Sequence, residues 1–438
     1  MERYLGGLER QFYQQNLVGS TNICTVIRLH GSLDMARLQR ATQDLGETWP
    51  LLRASIFADP YLRFSMHAAP ASMPFHRERM QSEEHWRRLL VKELHRQYPI
   101  GEGLGCVHVL EGDQGCDILL SLSHALADGL SSSYLLRCLL LLYKGESVPG
   151  ARPSLPMEQR FPARYRGFRG WWQAFKFIFT LGKMGPALQI GESGWTRQTL
   201  SHGFVFDHSQ ELNALARKHG SNLFGAFCAL ALQTMFELYG EGESQNLSLN
   251  TPVSLRSGVG AGPDEVGLFI AGHMALYQLH RTMDIWDLAK QCHDTLKAGV
   301  EAGRPYLLAR LAGGARKPKP PKNSSYAAQH RPTVSISNLG RVEDFAALDT
   351  AQVYEHHALS AQGVKDPFAF VLISYQGRLY VDLQTSLEKM GPEAGPKILR
   401  RLEEKLQNLV KSPLSFEVKA HEPGARNSSQ IVPQPLAH

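Results

Sequence analysis

The run Ser121-Leu122-Ser123-His124-Ala125-Leu126-Ala127-Asp128-Gly129-Leu130 brings together residue types suited to proton-transfer chemistry. An imidazole has an unperturbed pKa of about 6.5, so it takes up and releases protons near neutral pH. The segment Asp117 to Ser123 (D-I-L-L-S-L-S) reads as a strand that ends at His124. That placement would hold the ring on a rigid element, facing whatever cleft lies at the strand's end. Four residues then bend the chain, and Asp128-Gly129 precede an apolar helix running to Tyr143, for which Ser131 is a candidate cap. Glycine at 129 permits either a turn or the close approach of another group. A carboxylate four residues past the histidine, beyond a bend, need not face the ring. Asp128 is therefore open between orienting His124 and pairing elsewhere, and the plain alternative for His124 is a hydrogen-bonded core histidine.

The elements that must position these groups alternate along the chain. Ile23 to Leu29 is a strand rich in β-branched residues; Leu38, Ala41 and Leu45 follow at helical spacing, and Trp49-Pro50 closes that helix. Further strands are expected at Gly203 to Phe206, Leu247 to Leu255 and Thr333 to Ile336. A hairpin is expected from Phe368 to Leu383 about Gln376-Gly377. Glu211 to Leu238 reads as a helix or two helices broken near Gly220, and Ile398 to Val410 as an amphipathic helix. Such alternation predicts an α/β fold. The chain has 438 residues, 43% of them hydrophobic, so disorder and a single small core are both excluded. The formal net charge of +6 is far from the dense basic patch of a nucleic-acid binder, and no nucleic-acid partner is expected.

Between Gly145 and about Gly185 the composition changes, first to proline and then to a basic, aromatic stretch. Phe168, Trp171, Trp172, Phe175, Ile178 and Phe179 share one helical face, with Arg169, Gln173 and Lys176 on the other side. A connector helix packed between two lobes is the simpler reading, and a membrane-surface helix the alternative. This divides the chain into an N-terminal lobe over 1–160, a connector over 161–200, a C-terminal lobe over 201–421 and a disordered tail over 422–438. The proline-rich, cationic run from Gly313 to Pro332 reads as a mobile loop. The six cysteines lack C-x-x-C spacing and mostly sit in apolar runs, as buried thiols in a reducing compartment do. The start of the chain lacks signal-peptide order and no apolar run approaches the roughly 20 residues of a membrane span. A cytoplasmic protein, peripheral on membranes at most, is expected, and a monomer. His356-His357 has no third ligand at a recognisable spacing, so a loop or surface pair is expected there rather than a metal site.

With these motifs in hand, the sequence resembles the chloramphenicol-acetyltransferase-like superfamily, which includes alcohol acetyltransferases, polyketide-associated acyltransferases and the condensation domains of peptide synthetases. The shared motif H-H-x-x-x-D-G corresponds to Ser123 through Gly129, with serine in place of the first histidine. Arg3 to Glu9 (R-Y-L-G-G-L-E) looks like the opening of alcohol acetyltransferases. Gly31 to Asp34 with Leu38, then Pro50 to Arg53, resemble the family's first helix and the P-x-LR segment after it. Pro252 to Arg256 (P-V-S-L-R) resembles the "PVNLR" strand, and Ser337 to Gly340 the "SNLG" segment.

The resemblance implies two lobes with an active-site tunnel at their interface and a direct acyl transfer from a thioester. His124, the second histidine of the motif, is then the general base, a role worth roughly 10²–10⁴-fold. Asp128 would form an ion pair with Arg256 rather than orient the imidazole, and Gly129 and Arg256 would be structural parts of the site. Ser337 and Asn338 are oxyanion or tunnel candidates, with Ser123 beside them; a polar turn ending the 333–336 strand is the alternative for the first two. No G-x-S-x-G elbow is present, so no serine nucleophile is implied.

Acyl-CoA is the expected cosubstrate, with an acyl carrier protein carrying a phosphopantetheine thioester as the other donor, because no carrier or adenylation segment is fused to the chain. Arg316, Lys317, Lys319 and Lys322 could meet the donor's phosphates or simply be a solvated charge run. No permanent cofactor or metal is expected. The acceptor should be a small, hydrophobic alcohol, in a natural-product pathway by analogy. A stand-alone condensation enzyme forming an amide, or a non-catalytic platform for a carrier protein or partner enzyme, are the alternatives.

Overall fold

The computed structural model describes residues 2–411 apart from 20, 66–71, 151–154, 183–184, 192–195, 197, 312–330, 346 and 361–365. Arg316, Lys317, Lys319 and Lys322, most of the 313–332 run and the 422–438 tail therefore lie outside the described residues. The architecture is mixed α/β in two lobes, as expected from the alternation of strand and helix patterns.

The strands, in chain order, are β1 (Arg3–Tyr4), β2 (Asn22–Gly31), β3 (Ser55–Ala58), β4 (Leu62–Ser65), β5 (Phe75–Arg79), β6 (Gly105–Glu111), β7 (Gly115–Ser123), β8 (Thr199–Phe206), β9 (Ser244–Ser254), β10 (Ile270–His280), β11 (Val334–Arg341), β12 (Ala351–Ser360), β13 (Phe368–Tyr375) and β14 (Arg378–Ser386). They form a sheet ordered β12-β2-β7-β6-β5, a sheet ordered β10-β9-β11-β13-β14-β8, and a small sheet β1-β4-β3. In the first, β7 pairs antiparallel with both β2 and β6. It is an interior strand, and all but one of its residues are buried. This explains why D-I-L-L-S-L-S reads as a near-continuous apolar run rather than an alternation. Helices α1 (Gly7–Asn16), α2 (Met35–Thr48), α3 (His85–Leu94) and α4 (Gly129–Lys144) belong to this lobe, and α3 and α4 both pack on β2 and β7.

In the second lobe the break near Gly220 separates α6 (Ser209–Lys218) from α7 (Leu223–Tyr239), with α5 (Gly167–Gly182) preceding them in the chain. Gly220 adopts φ +71, a value that ends a helix at little steric cost only for glycine. The hairpin β13–β14 turns at Gln376 (φ 49) and Gly377 (φ 79), both left-handed, as a two-residue turn matched to strand twist requires.

One strand crosses the division drawn from the sequence. β12 lies at residues 351–360, within the span assigned to the C-terminal lobe, yet it pairs antiparallel with β2 of the N-terminal sheet. It also packs against β13 and β14, so it is shared between the lobes. His356 and His357 therefore lie on a strand and are 0% and 3% exposed, not in a loop or at the surface. The sequence did not reveal this because their partners are distant. His357 Nδ1 lies 2.9 Å from Asp382 of β14 and its Nε2 3.4 Å from Glu355. Arg87 of α3 sits 3.2 Å from the same Asp382, and Arg28 of β2 bridges Asp117 at 3.1 Å and Glu355 at 2.9 Å. These charges tie both sheets and α3 together across the lobe boundary.

Candidate active site

His124 immediately follows β7 and is 2% exposed. Its Nδ1 lies 2.8 Å from the carbonyl oxygen of Ala127, which can only accept, so Nδ1 carries the proton and Nε2 presents a lone pair. Burial pushes the imidazole's pKa below its ordinary value against the opposing charge of Asp128, so the ring is neutral at pH 7. Phe12 of α1 stacks on the ring at 4.2 Å between centroids.

Helix α1 is fixed in turn by the landmark that precedes it. Glu9 accepts from both guanidinium nitrogens of Arg3 at 2.7 Å and from the Gly6 N–H at 2.6 Å, and the Glu158 carboxylate accepts from the Leu8 N–H at 2.8 Å. Phe12 and Ala127, which hold the imidazole, were not singled out from the sequence.

Asp128 is fully buried, and its carboxylate is taken up by partners other than the imidazole. Oδ1 accepts from the Ser131 N–H at 2.8 Å and from Arg256 at 3.1 Å, and Oδ2 accepts from the Phe269 N–H at 3.0 Å. Asp128, not Ser131, is thus the N-cap of α4, which begins three residues earlier than the sequence suggests. Ser131 sits inside the first turn, where its hydroxyl accepts from Arg256 at 2.6 Å and donates to the Gly267 carbonyl at 2.8 Å. Arg256 also donates to the carbonyls of Gly262 and Glu265. A buried carboxylate needs such pairing, and one guanidinium spans these acceptors.

Gly129 matters for space rather than for conformation. A Cβ there would lie 2.6 Å from Leu339 Cδ2, so the glycine lets the segment after β11's Ser337-Asn338 approach the start of α4. That approach shapes a narrow cleft between the lobes. It is lined by His124 and Ile23 from one side and by Pro252, Ser254, Ser337 and Val371 from the other. Its room for water-sized molecules is about 30 Å³, enough for two waters. Ser337 is 8% exposed. Asn338 also lines the cleft, but its Oδ1 accepts from the Gly340 N–H at 2.8 Å, the bond of a polar turn. Ser123 pairs with Asn22 in the ladder and is not among the cleft-lining residues.

One further group carries metal-ligand atom types. Register places His76 of β5 opposite His108 of β6, and their ring nitrogens and Cys106 Sγ lie within 4.8 Å of one another. His108 Nε2 is 3.3 Å from Glu93, while Arg96 lies 3.2 Å from Glu93 and 3.6 Å from Cys106 Sγ. The guanidinium already supplies positive charge to the carboxylate and thiol, so the group acts as a polar tie between β5, β6 and α3. None of it lines the cleft.

Comparison with known proteins bears on the fold that holds this site. Residues 205–384 match the family described as phthiocerol/phthiodiolone dimycocerosyl transferase C-terminus. Polyketide synthase associated protein 5 from Mycobacterium tuberculosis superposes with a TM-score of 0.66 at 18% identity, covering 94% of this chain and 98% of that one. The first condensation domain of the CDA synthetase gives 0.72 at 15% identity over 94% and 97% of the two chains. The starter condensation domain of rhizomide synthetase, a mutant in complex with C8-CoA, gives 0.68 at 15% identity over 94% and 95%. No curated protein matches in sequence.

Two lobes, with an interlobe cleft at the end of β7, define the condensation-domain fold. The chain shares that fold over nearly its whole length with polyketide synthase associated protein 5 and with condensation domains, and its 205–384 segment matches the transferase family model.

Proposed function

We propose that the protein transfers an acyl group from an acyl thioester to the hydroxyl of a small hydrophobic acceptor, with His124 as general base. The observation that carries this reading is a buried imidazole on the wall of the interlobe cleft whose Nδ1 is committed to the Ala127 carbonyl, which leaves Nε2 as the proton acceptor. The acceptor oxygen attacks the thioester carbonyl as Nε2 takes its proton. The C–O bond forms, the carbonyl electrons move to oxygen, and a tetrahedral intermediate results. Its collapse restores the carbonyl, breaks the C–S bond, and returns the proton from the imidazolium to the departing thiolate. Ser337 is the side chain we assign to the developing oxyanion, because a hydroxyl on the cleft wall can donate there. Asp128 and Arg256 hold the β7–α4 bend and the 254–269 segment together, so they position the base without touching the substrate.

Acyl-CoA is the donor we favour, and the complex of the rhizomide synthetase domain with C8-CoA supports a cosubstrate of that kind. Thiol release from acetyl-, octanoyl- and palmitoyl-CoA, with alcohols and amines as acceptors, tests the reading. Acceptor-stimulated release by the wild type that disappears in a folded His124→Ala variant is expected. A wild-type protein inert toward the whole panel, with CoA and carrier-bound donors alike, would overturn it in favour of a docking platform.

A further inference from the structure

The structure leaves an apolar helix face uncovered far out of proportion to the rest of the surface. Six of the eleven large apolar side chains exposed among the described residues lie on α5: Phe168, Trp171, Trp172, Phe175, Ile178 and Phe179. Phe168 is 84% exposed and Phe179 60%. Their spacing of i, i+3, i+4, i+7, i+10 and i+11 places them on one stripe. The connector helix expected to pack between two lobes is present, and only one of its faces is covered. Ala174 and Phe177 face inward, in a cluster with Phe161, Tyr165 and Tyr306, and the aromatic stripe faces out. The outer rings brace one another, with Trp172 stacked on Phe175 at 6.1 Å and Phe175 edge-on to Phe179 at 5.3 Å. The stripe is therefore a formed surface.

Charge selects its partner. No carboxylate occurs between Glu158 and Glu192, whereas Arg164, Arg166, Arg169 and Lys176 in this span are exposed. Arg169 and Lys176 flank the stripe, and the Lys176 Nζ lies over the Trp172 ring at 5.3 Å. Aromatic and aliphatic side chains on one face, with cations along its edge and no anion in the same span, match the boundary between acyl chains and anionic headgroups. No helix among the described residues is long and apolar enough to cross a membrane, so this one would lie in the surface plane.

We infer that the outer face of α5 docks the protein on an anionic lipid bilayer, with the aromatic stripe inserted at headgroup depth. The inward face of α5 shares its cluster with Leu255 and Phe269, the residues flanking Arg256 and donating to Asp128. Docking therefore sets the interlobe site one packed layer from the lipid surface, a suitable place to receive a lipophilic acceptor. The surface stands apart from the chemistry of His124, and either reading can fail without the other.

The test is co-sedimentation of the full chain with phosphatidylcholine vesicles, with and without 30 mol% phosphatidylglycerol, at low and high salt. The wild type is expected to partition at least tenfold more strongly onto the anionic vesicles, with binding weakened by salt and a blue shift of tryptophan emission. W171A/W172A, and separately F175S/F179S, should each lose at least tenfold in partition coefficient while melting at the wild-type temperature. Equal recovery of wild type and both variants, or no wild-type binding, overturns the proposal. So does a wild-type dimer that the variants dissolve, or docking to an acidic carrier protein without vesicle binding, since either result assigns the face to another partner.

Discussion

Replacing Arg256 with alanine distinguishes a structural pair from a substrate-handling one. In the wild type Arg256 meets Asp128 Oδ1 at 3.1 Å, the Ser131 hydroxyl at 2.6 Å, and the carbonyls of Gly262 and Glu265 at 3.0 and 2.7 Å. The alanine variant removes the counter-charge of a carboxylate with no exposure at all, a change that costs about 3–5 kcal/mol when one partner of a buried pair is lost. Two backbone N–H groups still serve Asp128, so the lower part of that range is expected. Against a total of about 5–15 kcal/mol the loss is large. Urea unfolding followed by both circular dichroism and tryptophan fluorescence would measure it. Arg256→Lys, which keeps the charge but not the fork, should fall between wild type and alanine. In the Asp128→Ala/Arg256→Ala double variant the two losses should add to less than their sum by about 1–3 kcal/mol, because no orphaned charge remains. An Arg256→Ala protein that unfolds at the wild-type midpoint yet has lost turnover would refute the reasoning. The arginine would then be acting on the substrate.

Gly129→Ala should cost about 1–3 kcal/mol through the 2.6 Å approach to Leu339, and a second change, Leu339→Ala, should recover much of it in the same unfolding assay. The interlobe charges make stability depend on pH in two directions. Burial works against the charged form of His357, but Asp382 and Glu355 outweigh it and raise the pKa above the usual value. Its contribution is full below about pH 6.5 and is lost as pH rises through the higher folded value. Asp382 and Glu355 are held down, against their own burial, chiefly by His357, with Arg87 and Arg28 helping, Glu355 to about 2. Their contributions are present above the usual carboxylate range of about 4 and fade as pH falls toward the folded values. Urea midpoints should therefore be highest between about pH 4.5 and 6.5, and His357→Gln should flatten the alkaline decline; an unchanged alkaline limb in that variant would assign the decline to another group.

The segment from β7 through His124 to α4 was legible because each local signal agreed: an apolar strand, a bend, and polar residues able to cap a helix. Even there the cap went to Ser131 rather than Asp128, since both residue types cap well and only the Arg256 and Phe269 contacts decide between them. β12 was illegible because Glu355-His356-His357 looks solvated until Asp382, Arg28 and Arg87 arrive from three other elements. The period of α5 was plain in the sequence, but whether its aromatic stripe faced the core or solvent depended on Ala174 and Phe177 filling the inner side. Phe12 carried no signal of its own, because a ring that stacks on the imidazole comes from a helix more than a hundred residues away in sequence.

The pH profile of acceptor-dependent thiol release, measured side by side for wild type and His124→Ala, bears most directly on the claim that a neutral imidazole drives the transfer. A wild-type acid limb with its midpoint below 6.5 is predicted, because burial holds the ring unprotonated to lower pH than usual. The variant, folded and melting normally, should lack that limb and run about 10²–10⁴-fold slower on the plateau. A variant that keeps both the wild-type rate and the same acid limb would contradict the account.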